Sequence, residues 1–353
     1  QRRGNEVDIK TFTLQYPSLL FPGESQTVAT PPPADLRICR CVNTMNPLNW
    51  VCVGRRIRRE RPDFVLMKYW TPFMAPCFGT IARIARGNGH TKVLCQIDNV
   101  EPHERHLTDK PFNRYYLHSV DGFVYMSEQV HSELRAYSDA PALFSPHPLF
   151  ENFGERVERS EACVRLGLDP ANRYVLFFGL IRDYKGLDLL LDAWAQLRRA
   201  GRTEGRRLIV AGEFYTAREP YLNRIADNGL QDEVLLHDRF IPDGDVKYYF
   251  SAADFVVQPY KTATQSGVTQ IAYQFCVPMV VTAVGGLPEI VPDGRVGYVC
   301  PPTAEGVAAA MDRMYEGDAL KRFRENCVEE RRRFSWEEMC SRVTELYGLV
   351  APK

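Results

Sequence analysis

Short apolar runs, each closed by a small or polar residue and followed by a segment of helical periodicity, recur along almost the whole chain. In the first half strand segments lie at 7–12, 36–42, 64–67, 92–97 and 122–126, with helical patterns at 47–59, 73–86, 111–119 and 128–137. A second series begins with Val175-Leu176-Phe177-Phe178 and continues at 207–211, 234–237, 255–258 and 279–282. Its helical segments follow from Leu187, at 221–228, 245–252, 267–275, 305–315 and 320–333, and last from Trp336 to Leu346. Continuous apolar runs of four to six residues suit strands buried on both faces, as in a parallel sheet. Alternation with helices predicts α/β layers with right-handed crossovers.

A chain of 353 residues is long for one core, so two domains are expected. The stretch 141–155 breaks the periodic pattern and is the natural connector. It divides a first domain, 1–150, from a second, 151–335. Ligands of such domains bind at the loops following the strand C-termini, here in a cleft between the two.

An apolar fraction of 45% and a charged fraction of 25% are those of a globular protein. Net charge is zero, with an excess of four cations in 1–150 offset by four anions in the remainder, far from a nucleic-acid-binding signature. Ten cysteines include no CxxC pair and sit mostly inside apolar runs, which suits reduced thiols in a cytoplasmic protein. Cys39 and Cys41, two apart on a strand, are expected to face inward together. Arg55-Arg56-Ile57-Arg58-Arg59 reads as a solvated helix face or as a peripheral contact with an anionic membrane. The start, with Arg2-Arg3-Gly4 before a strand, reads as a helix end, so an earlier strand and helix are expected to precede it.

The chemistry-bearing stretch is 174–194. Its strand ends at Gly179, the following turn carries Arg182 and Lys185, and Gly186 leads into a helix with Leu187, Leu190, Leu191 and Trp194 on one face. Free N–H groups at a helix N-terminus and two full charges make a phosphate cradle. Taken alone, the stretch also fits two surface cations on a connecting turn. Three further loops follow strands in the same half: Gly212-Glu213, 259–267 with Ser266 and Gly267, and Gly285-Gly286 before a helical turn. Four such loops point to a nucleotide-diphosphate site. In the first half Asp98, His103 and Glu104 follow a buried strand and can accept a proton or bond a sugar hydroxyl; a helix cap and surface residues are the competing reading. Asp243-Gly244-Asp245 resembles a metal-binding DxD, but at the opening of a helix an aspartate N-cap is the expected role, and no metal is expected.

Together these motifs resemble the retaining GT-B glycosyltransferases of the large family numbered four. The matching residues are Gly179, Lys185 and Gly186, then Cys276-Val277-Pro278, Gly285-Gly286-Leu287-Pro288-Glu289 and Ala252-Ala253-Asp254. The resemblance implies two Rossmann-like domains facing a cleft, with a C-terminal helix (336–353) crossing back to the first. It also implies a nucleotide-diphosphate sugar as co-substrate without a metal, and a saccharide or lipid-linked acceptor, as in bacterial polysaccharide biosynthesis. This sequence departs from the family in three ways, the first being Asp98 where a histidine is expected at the first-domain strand end. Leu180 stands where the phosphate arginine usually follows the glycine, which leaves Arg182 as the substitute. Ala263 and Ile271 occupy the places of the paired glutamates, so Gln265 is a candidate to orient the sugar and Gln270 to bond ribose hydroxyls. The rival readings are a non-catalytic sugar-nucleotide-binding subunit and an epimerase of the same fold.

Overall fold

The computed structural model describes residues 1, 3–17, 35–101, 107–263 and 266–351. The chain forms two compact units, one of Gln1–Met126, Val130–Phe144 and Ser341–Lys353, the other of Ser127–Gln129 and Ser145–Cys340.

In the first unit β1 (Asp8–Leu14) and β2 (Arg37–Asn43) pair in parallel as a two-stranded sheet. β3 (Phe64–Tyr69), β4 (Lys92–Ile97), β5 (Gly122–Tyr125) and β6 (Ala142–Phe144) form a parallel four-stranded sheet in that order. The helices between them are α1 (Pro47–Glu60), α2 (Ala75–Arg86), α3 (Asp109–Leu117) and α4 (Glu128–Arg135). Asn46 starts α1 by accepting from the N–H groups of Leu48 and Asn49 at 3.0 and 3.2 Å. Val53 and Ile57 of α1 and Ile81, Ala82 and Ala85 of α2 enter a core with Val93, Cys95 and Ile97 of β4.

The second unit is a six-stranded sheet, parallel throughout. In chain order its elements are α5 (Arg159–Leu166), β7 (Arg173–Phe178), α6 (Leu187–Arg199), β8 (Arg206–Ala211), α7 (Glu219–Asp227), β9 (Val234–His237) and α8 (Asp243–Ala252). There follow β10 (Phe255–Gln258), α9 (Gly267–Gln274), β11 (Met279–Thr282), α10 (Leu287–Ile290), β12 (Gly297–Cys300), α11 (Ala304–Arg313) and α12 (Ala319–Glu330). The strand order is β12-β11-β10-β7-β8-β9, so the chain leaves β7 to one side and returns to the other at β10. Parallel sheets of this kind bind ligands at the carboxyl ends of the strands on either side of such a reversal. One face of the sheet is covered by a core including Tyr249, Phe250, Ile271 and Tyr273, the other by Leu187, Leu190, Trp194 and Met311. Asp254 anchors the start of β10. It accepts from Arg159 Nη1 at 2.7 Å and from the Tyr174 N–H at 2.9 Å.

The final helix, α13 (Trp336–Val350), begins in the second unit and belongs to the first from Ser341 onward. There Leu346 covers Gly122, and the Tyr347 ring lies 5.2 Å from that of Phe64. The α/β class and the returning helix match the sequence reading.

Four details differ from it. Strands β6 and β12 were not expected; β6 has three residues inside the connecting stretch 141–155, and β12 is defined by its pairing with β11. Neither Asp243 nor Asp245 caps α8. Pro242 holds the cap position, both aspartates lie in the first turn, and Asp245 pairs with Arg165 at 3.3 Å. Cys39 and Cys41 share one side of the two-stranded sheet, where Cys41 packs against the core, but both are only partly buried. Last, α13 runs beyond Leu346 to Val350. Among the described residues no helix is long and apolar enough to cross a membrane, and no three potential metal ligands converge.

Candidate functional site

The reversal between β7 and β10 places the 174–194 stretch at the carboxyl edge of the sheet. Leaving β7, the chain turns at Gly179 with φ of +99°. A β-carbon there would stand 3.3 Å from Lys185 Nζ and 3.7 Å from Val268 of α9, so the bare glycine lets the ammonium lie against the backbone. Arg182, Lys185 and the start of α9 are thereby gathered around one strand end.

Residues 183–185 form a single 3-10 turn, and Gly186 in the left-handed region hands the chain to α6. A β-carbon at Gly186 would lie 2.0 Å from the carbonyl oxygen of Pro259, the residue after β10, so only glycine allows this approach. The Lys261 N–H also donates to the Tyr184 carbonyl at 2.7 Å, and its Nζ pairs with Asp188 at 2.7 Å. On the other side, Ile181 N–H donates to Glu213 O at 2.8 Å and Tyr215 N–H to Ile181 O at 2.9 Å. Asp183 accepts from Thr216 and Tyr221 hydroxyls, both at 3.0 Å. The loops after β7, β8 and β10 are thus tied to one another through their backbones.

Electrostatically the loop is a concentration of unpaired positive charge. Neither Arg182 nor Lys185 has a carboxylate partner among the described residues. Their nearest polarisable neighbours are rings: Arg182 Cζ lies 5.3 Å from the Tyr215 centroid and Lys185 Nζ 5.9 Å from that of Tyr260. Burial, and secondarily the Arg182 charge, push the Lys185 ammonium down to about 8. An anion placed here would relieve both effects.

Ser266 caps α9, accepting from Val268 N–H at 3.2 Å, and its hydroxyl meets the Tyr260 hydroxyl at 3.1 Å. Gly267 opens the helix, and Gln270 is fully buried on it. Gly285 and Gly286 follow β11 and precede α10, whose four residues make no more than one turn. Gly179, Arg182, Lys185, Glu213, Ser266, Gly267, Gln270, Gly285 and Gly286 therefore all stand on loops or helix starts beyond the carboxyl ends of β7, β8, β10 and β11. Gln265 lies outside the described residues, as do His103 and Glu104. Asp98 follows β4 in the first unit, where its carboxylate pairs with Lys68 Nζ at 3.3 Å. Sequence reasoning missed Gln258 at the end of β10; the signal was an amide closing an otherwise apolar run, Phe255-Val256-Val257.

Residues 172–317 match the family model of glycosyl transferases group 1. Among curated proteins the chain is similar to D-inositol 3-phosphate glycosyltransferases. It is 26% identical to that of Streptomyces bingchenggensis over 72% of this chain and 58% of the relative. It is 32% identical to that of Segniliparus rotundus over 55% of this chain and 45% of the relative. The chain spans between 34% and 58% of the length of such relatives. In fold it is similar to sucrose-phosphate synthase from Thermosynechococcus elongatus, with a TM-score of 0.71 at 20% identity over 99% of this chain and 90% of that one. It also resembles Anabaena Alr3699/HepE, solved with UDP and glucose, with a TM-score of 0.65 at 16% identity over 88% and 85% of the two chains. The similarity to group 1 glycosyl transferases thus lies in residues 172–317, within the six-stranded unit, and the chain's fold is similar to that of the solved structures above.

Proposed function

We propose that the second unit binds a nucleotide-diphosphate sugar at the carboxyl ends of β7 and β10, and that the chain transfers the sugar with retention to a hydroxyl acceptor. The observation that carries this reading is Lys185, a half-buried ammonium beside Arg182 with no carboxylate among the described residues to neutralise either charge, held against Gly179 at the reversal of the strand order. Arg182 and Lys185 take the diphosphate and stabilise it as charge builds on the leaving group. Gly267 and the Ser266 cap offer α9 N–H groups nearby, Gln270 serves the ribose hydroxyls, and Glu213 with Gly285 and Gly286 lines the remaining strand ends.

In a front-face route the leaving phosphate itself takes the acceptor proton, so the step needs no side-chain nucleophile and tolerates Ala263 and Ile271 in place of two carboxylates. Asp98, after a strand end of the first unit, is the residue to position the acceptor; His103 and Glu104, outside the described residues, are assigned the same role from the sequence. The solved relative with bound UDP makes uridine donors the first to test, and the curated relatives make a phosphorylated cyclic polyol the first acceptor. A saccharide or lipid-linked acceptor is the next class, and the basic α1 face would favour an anionic one at a membrane surface.

A thermal-shift screen against UDP, GDP, ADP, TDP and their sugars tests the reading directly. A ligand at a hundred times its Kd stabilises the fold by about 2.7 kcal/mol. The reading fails if no nucleotide shifts the transition, or if Arg182→Ala and Lys185→Ala shift it as far as the parent does.

A further inference from the structure

The carboxyl edge of β10 holds an anomaly that the diphosphate site leaves unexplained. Phe255 and Val257 point into the core beneath α6 and α11, and Val256 into the core beneath α8 and α9. By strand alternation Gln258 faces the α9 side, the side on which Gln270 is buried. Both residues are 1% exposed, and among the described residues neither the amide oxygen nor the amide nitrogen of either has a hydrogen-bond partner.

Their buried polar neighbours are satisfied. The Thr282 hydroxyl donates to Tyr260 O at 2.6 Å, Thr269 to Ser266 O at 2.5 Å and Tyr273 to Ile290 O at 2.6 Å. Buried amides without partners lower stability, and a leucine would fill the same space without that penalty. Such exceptions concentrate where a fold is shaped for a ligand. An amide offers a donor and an acceptor from one planar group, which matches a hydroxyl. Being neutral, it does not oppose a diphosphate held by Arg182 and Lys185. Pro259, the next residue, supplies the carbonyl against which Gly186 packs, so Gln258 is adjacent in sequence to the contact that joins β10 to the phosphate loop.

We propose that Gln258, together with Gln270, binds hydroxyl groups of the nucleotide sugar and helps select it. This rests on the nucleotide-sugar reading above. The test is calorimetric titration of the full chain, Gln258→Leu and Gln258→Met with UDP, UDP-glucose, GDP and GDP-mannose, alongside ligand-free melting. The expected result is an unchanged or higher melting temperature in both variants, with affinity for the best probe at least about tenfold weaker. A loss confined to the sugar-bearing probe assigns the contact to the transferred sugar, and an equal loss for the bare diphosphate assigns it to the ribose; both outcomes support the proposal. Parental affinity in the variants overturns it while leaving the nucleotide-sugar reading intact. A lower melting temperature in both variants also overturns it, because the amide would then be serving the ligand-free fold. If the parent binds none of the probes, the underlying reading fails and this inference with it.

Discussion

The Gly186 α-carbon is packed so closely on Pro259 that a methyl group in place of its hydrogen would stand 2.0 Å from the Pro259 carbonyl oxygen. This contact joins the loop after β7 to the loop after β10 across the reversal of the sheet. Gly186→Ala must push the two loops apart and also adopt a left-handed backbone. It is expected to lower stability by more than about 1 kcal/mol and to weaken diphosphate binding at least tenfold. Thermal melting and titration with UDP check both parts; unchanged binding would show that the contact does not shape the site.

Arg182 and Lys185 are expected to act mainly on the leaving group. Alanine at either position should reduce turnover on the order of a hundredfold, as loss of one preorganised charge at a reacting centre does. Lys185→Arg is not expected to restore it, because the planar guanidinium does not fit the space that Gly179 leaves for a compact ammonium. Steady-state rates with a nucleotide sugar and an acceptor decide this.

The Lys185 ammonium, lowered to about 8 from an ordinary value of 10.5, sets a pH signature. The folded ligand-free chain binds fewer protons there than the unfolded one between about pH 8 and 10.5. This group's contribution therefore destabilises fully below about pH 8 and is relieved as pH rises through that window. A bound diphosphate raises the same group back, so binding at pH 8 to 9 takes up protons and weakens as pH increases. Titration in buffers of different ionisation enthalpy measures the uptake. Lys185→Met should abolish it, and uptake that persists in that variant would assign it to another group.

Asp254 supplies a contrast, since it is buried but remote from the phosphate loop. Its carboxylate is held by Arg159 and by the Tyr174 N–H. Asp254→Ala removes the acceptor of both Arg159 and the Tyr174 N–H and is expected to cost about 3 kcal/mol of stability. Nucleotide affinity of the folded fraction should stay at the parental value. A loss of affinity matching that of Lys185→Ala would mean that the strand start and the strand end are coupled.

Much of this arrangement was legible because its determinants are local. The Val175–Phe178 run, the cations that follow and Gly186 lie within a dozen residues, and period and spacing suffice to call a strand, a turn and a helix. What escaped depends on partners distant in sequence. The edge strand β12 is defined by pairing with β11 and carries no periodicity of its own. Asp245 is a plausible cap by its neighbours, yet Arg165, eighty residues earlier, engages it. The anomaly at Gln258 appears only when β10 is placed against α9, since an amide ending an apolar run is ordinary until its surroundings are counted. That Lys185 has no counter-ion among the described residues is likewise a property of the fold and not of its neighbours in sequence.

The backbone ties among the loops after β7, β8 and β10 bear on the kinetics of capture. A cradle whose walls already hold one another has its shape before an anion arrives. Encounter is then limited by diffusion, quickened by two cations that lack carboxylate partners among the described residues and slowed by added salt. Competing nucleotides would reach it at similar rates, and discrimination among them would appear in how long each one stays.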